Sequence, residues 1–362
     1  MFVSHLSLAD FRSYSSLELS LKPGQNIFIG ENGEGKTNII EALMYLALLS
    51  SHRISSDQPL VKLGSERAYV RAKVESDERT SLVELEINAA KANRAKVNQN
   101  PVRSQKELLG IVKCICFSPE DLDLVRGDPS ERRSFLDQLL IQRSPRLAGV
   151  IADYERALKQ RNSLLKSRAP QSSLEPWNEH LANFGGEIIA ARLKLIRELI
   201  PHLMNSYENI SVKKQPSLEY KSNLENLTEN KEDNKSEMLK KIEEVGFQER
   251  ERGVSLVGPH RDDLLLNLGE HPVKGFASHG ESWSFAISLK VAALELFKAQ
   301  GMDPILILDD VFAELDTSRR ERLIFATQLT EQTIVTAAVE GDLPEELGGV
   351  RFYVAGGKVE AR

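Results

Sequence analysis

Cysteine is almost missing from this chain: two in 362 residues, Cys114 and Cys116, too few for a disulfide framework. They stand two apart within the apolar run Ile111 to Phe117, a spacing that in a strand puts both on one face. Two ligands cannot close a structural zinc shell, so a reduced core strand is expected there. Long apolar runs are missing too. The longest, Ala42 to Leu49, holds about eight residues where a membrane span needs roughly twenty, and the first residues lack the basic-then-apolar pattern of an export signal. A cytoplasmic protein with no membrane partner is the expectation. Positive charge is in deficit, 47 Lys and Arg against 53 Asp and Glu for a net charge of −6. That balance repels nucleic acid on average, so any DNA contact requires a local basic face. What is left, 41% hydrophobic and 28% charged residues, is an ordinary composition for two or three domains with ample core.

Against this background one stretch stands out. Gly30, Glu31, Asn32, Gly33, Glu34, Gly35, Lys36 and Thr37 spell a glycine, four residues, then Gly-Lys-Thr, the pattern of a phosphate-binding loop. Its glycines let the backbone turn successive N–H groups inward around a β-phosphate, and the cradle opens into a helix whose dipole favours negative charge. Lys36 then reaches the β- and γ-phosphates, and Thr37 ligates magnesium. The flanks agree: Ile27-Phe28-Ile29 reads as a strand, and Asn38 to Leu49, rich in Ala, Leu, Met and Glu, reads as a helix.

Elsewhere the chain alternates between strands and helices. Met1 to Leu21 predicts two strands joined at Asp10 to Tyr14. Arg12 in that turn is either a solvated residue or, one strand before the loop, a phosphate contact. The polar loop Ser50 to Asp57 carries His52 and Arg53. Strands follow over Ala68 to Val74, Ser81 to Asn88 and Arg94 to Asn98. From Lys91 to Lys113 six basic residues (Lys91, Arg94, Lys96, Arg103, Lys106, Lys113) meet one acid, Glu107. With no aromatic interleaved for stacking, this is either a solvated hairpin or a contact that tracks a DNA backbone without reading sequence. Asp128-Pro129-Ser130-Glu131 signals a helix start. Arg132 and Arg133 sit in its first turns, where cations oppose the dipole and call for a compensating anion. Arg53, Arg132 and Arg133 complete the DNA-contact candidates. Apolar periodicity gives one helix, or two broken near Pro145, up to Leu165, and another from Trp177 to about Asn205 with a possible kink at Gly185-Gly186. Together they form an antiparallel helical lobe. Asn223 to Glu237 is polar enough to read as disordered, and Met238 to Glu249 as a short helix.

The last third supplies a second set of nucleotide chemistry. Ala277-Ser278-His279-Gly280-Glu281 is a small polar turn ahead of a helix, usable for a γ-phosphate. Ile305 to Leu308 is a continuous apolar run, as in a buried parallel strand, and it delivers Asp309 and Asp310 at its carboxyl end. One carboxylate there can hold magnesium and the next can polarise a water. Glu314-Leu315-Asp316, the helix Ser318 to Gln328 and the strand Thr333 to Ala337 follow.

This order of motifs resembles the ATP-binding-cassette ATPases of the SMC-like branch, in which a helical insertion splits the cassette; Asp309 follows Lys36 by 273 positions. With Asp10-Phe11-Arg12-Ser13-Tyr14, Ser118-Pro119-Glu120-Asp121, Arg132 to Asp137, Gly258-Pro259-His260-Arg261-Asp262 and the Ser278 turn, nearly the whole chain is similar to the RecF family. The resemblance implies an α/β fold: an ABC-type P-loop ATPase head with a mixed sheet and an antiparallel β subdomain (1–128 and 251–362), plus an inserted helical lobe (129–250). It implies a slow ATPase using ATP and Mg2+ that forms an ATP-dependent homodimer. It further implies binding at single-strand/double-strand DNA junctions and gaps, work with RecO and RecR, and help in loading RecA. By position, Gly30 to Thr37 hold the triphosphate in one subunit, and Ser278 and Gly280 of the other touch its γ-phosphate. Asp309 serves magnesium, Asp310 the hydrolytic water, and Asp316 lies across the interface. The chain departs from the wider cassette pattern in four places. Asp310 replaces a glutamate, His279 replaces a signature glycine, no histidine follows Thr333 to Ala337, and no glutamine follows Cys114 to Phe117, where Ser118 or Glu120 stands instead. The alternatives are an ATP-set adaptor for protein partners and a transporter ATPase subunit; the insertion and the missing histidine disfavour the second.

Overall fold

The computed structural model describes residues 1–51, 53–54, 56–76, 79–208 and 214–361; His52 lies outside them. Period-two alternation shapes the opening. β1 (Phe2–Phe11) and β2 (Tyr14–Ser20) pair antiparallel, and the turn between them takes Arg12 into left-handed backbone at φ +52°. β3 (Gly24–Ile29) runs through the glycine loop into α1 (Lys36–Leu48). β4 (Arg67–Ser76), β5 (Arg79–Asn88), β6 (Arg94–Val97) and β7 (Asn100–Pro101) extend the first hairpin into an antiparallel sheet ordered β2-β1-β4-β5-β6-β7. β8 (Cys114–Phe117) then begins the second sheet. Both cysteines are free, and Cys114 is buried.

Helices take over next. They are α2 (Asp121–Arg126), α3 (Pro129–Arg143), α4 (Arg146–Lys166) and the long α5 (Gln171–Glu208). The break falls at Pro145, which cannot supply the N–H that a continuing helix needs. β9 (Pro216–Lys221) precedes α6 (Lys231–Arg252). The chain continues through β10 (Asp263–Leu268), β11 (His271–Pro272), the single turn α7 (Val273–Phe276) and α8 (His279–Ala299). It ends with β12 (Ile305–Asp309), α9 (Thr317–Gln328), β13 (Gln332–Ala337), β14 (Val350–Ala355) and β15 (Lys358–Ala361). Among the described residues no helix is long and apolar enough to cross a membrane.

Two compact units result: residues 1–121 with 283–362, and residues 122–282. The chain leaves the second unit at 282, beyond the boundary expected at 250, because β10 pairs antiparallel with β9 there. In the first unit a mixed sheet runs β15-β14-β3-β13-β12-β8, with β14, β3, β13, β12 and β8 parallel and β15 antiparallel at its edge. α1 is apolar on nearly every face, which suits a helix covered on all sides. Its Ile39, Leu43 and Tyr45 share one core with Leu6, Val70 and Leu85 of the antiparallel sheet and Phe28, Ile305 and Ile334 of the mixed one.

In the second unit the structure corrects two expectations. Asn223 to Glu237 is not disordered over its second half, because α6 begins at Lys231. The polar residues that suggested disorder are the start signal. Asn230 caps the helix by accepting from Glu232 N and Asp233 N at 2.8 and 3.3 Å, and buried Asn234 donates to Thr228 O at 2.8 Å. Gly185-Gly186 does not interrupt α5; the pair lets α6 approach. A Cβ on Gly186 would stand 2.7 Å from Lys231 O and 2.8 Å from Lys235 N, both backbone atoms. Gly186→Ala is therefore expected to destabilise this unit by about 1–3 kcal/mol, read as a lowered urea midpoint. An unchanged midpoint would mean that the two helices separate without cost.

Candidate functional site

The loop after β3 is shaped for close approach of backbone. A Cβ on Gly30 would run into the carbonyl of Val354 on β14, and Gly33 and Gly35 adopt φ of +91° and +113°. Only glycine takes such positions without strain. Tyr14 donates to Gly35 O at 3.2 Å and so holds the loop's last residue from the β1–β2 turn. α1 has no side-chain cap, which leaves its first N–H groups directed at the cleft. The buried Lys36 ammonium donates to Gly30 O at 2.6 Å and Glu31 O at 3.3 Å and lies 3.8 Å from Asp310 Oδ2.

Strand register assembles the rest. Asp309 on β12 pairs with Thr336 on β13, and Ala337 on β13 with Ile29 on β3, so the carboxyl ends of three parallel strands meet where ligands bind in such sheets. The Thr336 hydroxyl donates to Asp309 Oδ1 at 2.6 Å and accepts Asp310 N–H at 2.9 Å, fixing both aspartates through one atom. Asp310 sits at φ +50°, and its buried Oδ1 has no hydrogen-bond partner among the described residues. Buried acceptors are rarely left so; this one is placed for a water or a metal-bound water. The cleft, roughly 500 Å³, is lined by Asn32, Gly35, Lys36, Thr37, Asp310 and Thr336 among others, all of the first unit. That volume suits a nucleotide.

Among the described residues no group of three or more His, Cys, Asp or Glu could hold a metal alone. Magnesium commonly takes one or two carboxylates and completes its shell with substrate phosphates and water; Thr37 and Asp309 fit that donor set, and the Asp310 Oδ1, without a partner among the described residues, fits a water beside it. Burial pushes the Asp309 carboxyl up to about 6; the Thr336 hydrogen bond opposes this, while Asp310 and Glu120 add to it. Burial also raises Asp310. A magnesium ion held by Asp309 would need that carboxyl ionised, so magnesium-dependent ATP affinity is expected to fall by about tenfold per pH unit below 6. A calorimetric titration series from pH 7.5 to 5 checks it, and a flat profile contradicts it. Folding is linked with the opposite sign. The folded carboxyl binds its proton more tightly than the unfolded one, so its contribution favours the folded state below about 4 and weakens as pH rises to about 6.

A family model described as the RecF/RecN/SMC N-terminal domain matches residues 2–350. A Streptomyces avermitilis protein named DNA replication and repair protein RecF is 52% identical, covering 99% of this chain and 100% of its own. The chain belongs to the RecF family. Two solved structures described as the recombination mediator protein RecF, one RecF-ATPrS and one RecF-ATP in the RecFOR pathway, resemble it at TM-scores of 0.92 and 0.91. Both are 27% identical, covering 99% and 100% of this chain and 98% and 97% of theirs. The fold is thus the mixed α/β ATPase head with a helical insertion.

The other residues singled out in the sequence have partners and places of their own. Arg12 grips the buried Glu41 of α1 through Nε and Nη2, at 2.6 and 2.5 Å, and donates to Pro59 O; it ties the β1–β2 turn to α1. Arg53, expected on a DNA face, lines the cleft instead, 3.7 Å from Glu41 and 3.5 Å from Asn38 Oδ1. Arg132, also expected on that face, is buried against Asp263 at 2.7 and 3.0 Å. The anion that its helix start called for is Asp263, and burial leaves little of the Arg132 guanidinium open to a further partner. Arg133 donates to Asp262 O at 2.8 Å. Lys91, Arg94 and Arg103 line a second cleft on the antiparallel sheet. Lys96 lies 3.6 Å from Glu84, and Lys106 is in an exposed turn. Asp316 caps α9, accepting from Arg319 N.

Ser278 and Gly280 belong to the second unit and do not line the cleft. Ser278 and Glu281 form a reciprocal cap at the start of α8: Ser278 N–H donates to Glu281 Oε2 at 2.9 Å and Glu281 N–H to Ser278 Oγ at 3.2 Å. Lys214 donates to Glu281 Oε1 at 2.7 Å, and with the Ser278 bonds it draws the Glu281 carboxyl down to about 2. Of the two stand-ins for the missing glutamine, Ser118 is buried with its N–H on Asp121, whereas Glu120 is near enough to raise both aspartates. Sequence reasoning missed Thr336. Its only signal was a hydroxyl at the end of an apolar strand.

Proposed function

We propose that this chain is an ATP-dependent DNA-binding switch of recombinational repair and replication-fork maintenance. Lys36 and the backbone of Gly30 to Thr37 hold ATP; Thr37 and Asp309 hold its magnesium; Asp310 orients the hydrolytic water. A second copy closes over the nucleotide with Ser278 and Gly280, and the dimer binds single-strand/double-strand junctions and gaps, where it works with RecO and RecR to help load RecA. Hydrolysis is slow and resets the switch, because Asp310 is one methylene shorter than the glutamate of fast cassettes. The observation that carries this reading is the meeting of the phosphate-loop lysine and Asp310 in one cleft, 3.8 Å apart, with Asp309 tied to Asp310 through the Thr336 hydroxyl. The likeness to RecF structures described with ATP supports it. DNA contact is assigned to the cleft of Lys91, Arg94 and Arg103, joined by Lys96 and Lys106.

The deciding experiment compares the parent with Lys36→Ala and Ser278→Arg for ATP-induced dimerisation by sedimentation and for gapped-DNA affinity across a salt series. The parent should dimerise and bind DNA only with ATP, with affinity falling steeply as salt rises. Ser278→Arg should keep ATP and lose the dimer. Equal DNA binding with and without ATP would sink the reading.

A further inference from the structure

The histidine at position 279, out of pattern for a cassette signature, has a partner. Arg126, the last residue of α2, donates from Nη1 to His279 Nδ1 at 3.3 Å and from Nε to Ser282 Oγ at 3.1 Å. An arginine only donates, so the imidazole accepts at Nδ1 and carries its proton on Nε2. Ser282 is fixed in turn, its hydroxyl donating to Ser278 O at 2.9 Å. The guanidinium is thus seated on the signature turn by two neutral groups, and it is exposed. Among the described residues no carboxylate lies within ion-pair distance of Arg126, whereas Arg132, Arg143, Arg161 and Arg192 of the same unit each face one. The carboxylate on this turn, Glu281, is taken by Lys214 and Ser278. Behind Arg126, Lys274 donates to Gly127 O at 2.8 Å and steadies the end of α2.

We propose that Arg126, held on the signature turn by His279 and Ser282, reads the γ-phosphate of the nucleotide bound in a second copy of the chain. This rests on the reading above, that the Ser278 turn closes over the other subunit's ATP. A guanidinium offers paired donors to phosphate oxygens, and one with no carboxylate of its own brings undiminished charge to them. His279 then replaces a glycine for a reason: it aims an arginine that a bare turn would leave free.

The test is complementation. Arg126→Ala should bind ATP within about twofold of the parent, since Arg126 does not line the cleft, yet dimerise with ATP at least roughly tenfold more weakly. Its behaviour with ADP should not change. Arg126→Lys should recover part of the loss, and His279→Gly should fall between. Mixing Arg126→Ala with Lys36→Ala decides the direction of action. The first copy binds ATP and the second keeps Arg126, so one complete site forms and ATP-dependent pairing and hydrolysis should return. No recovery on mixing places Arg126 in its own subunit's chemistry and overturns the proposal. Parent-like dimerisation of Arg126→Ala, with Ser278→Arg still defective, overturns it and leaves the wider reading standing. A parent that does not pair with ATP removes both.

Discussion

Lys36→Ala is expected to lower ATP affinity by about a hundredfold or more and to abolish nucleotide-dependent pairing. Three effects act together. The ammonium that would meet the β- and γ-phosphates is lost, and charge-assisted bonds of this kind are worth roughly 1.5–3 kcal/mol each. The carbonyls of Gly30 and Glu31, which now accept from Lys36, lose the donor that draws them together. Asp310, 3.8 Å away, loses the opposite charge that counters its burial, so the cleft gains an unopposed carboxylate facing an anion. Titration calorimetry with Mg-ATP measures the affinity. An unchanged far-UV spectrum separates this loss from unfolding, because Lys36 supports the loop and not the core. Affinity within threefold of the parent would mean that the triphosphate does not pass over this loop.

Arg161→Leu should cost about 3–5 kcal/mol of stability, far more than the loss of a surface ion pair. Arg161 and Glu249 are nearly without solvent, at 2% and 0% side-chain exposure, and meet at 2.6 Å. The same guanidinium also donates to Asn178 Oδ1 at 2.6 Å and Ser255 Oγ at 2.8 Å, so it joins α4, α5, α6 and the chain after α6. Leucine would leave the Glu249 carboxylate in the interior with, among the described residues, only the Leu256 N–H at 2.7 Å. Glu249→Leu added to Arg161→Leu should restore part of the loss, since two apolar groups leave no orphaned charge. Urea unfolding of the parent, the single variant and the double variant measures the cycle. A double variant no better than the single one would mean that the other bonds of Arg161 carry the cost.

What could be read in advance was whatever a short stretch of chain decides for itself. The glycine loop, the helix start at Pro129 and the apolar run ending in Asp309 are local, and each sits where its pattern put it. Partnership between distant segments could not be read. Arg132 looked like a surface cation because nothing near it in sequence is its anion; Asp263 is 131 positions away. Arg53 looked like a loop residue free to meet DNA, and only the path after α1 turns it into the cleft. The start of α6 was misread because capping residues and disordered tails draw on the same polar alphabet, and what separates them is burial of Asn234 under Thr228.

The pairing of β3 with β13 and β14, its two neighbours among the described strands, sets an order of events during synthesis. The glycine loop leaves the ribosome before its neighbours, and both hydrogen-bonding edges of the strand that carries it stay open until residues 332–337 and 350–355 have been made. Residues 122–282 are continuous and need wait for nothing. Until then the nascent head exposes an unfinished sheet, the kind of edge that recruits chaperones or aggregates.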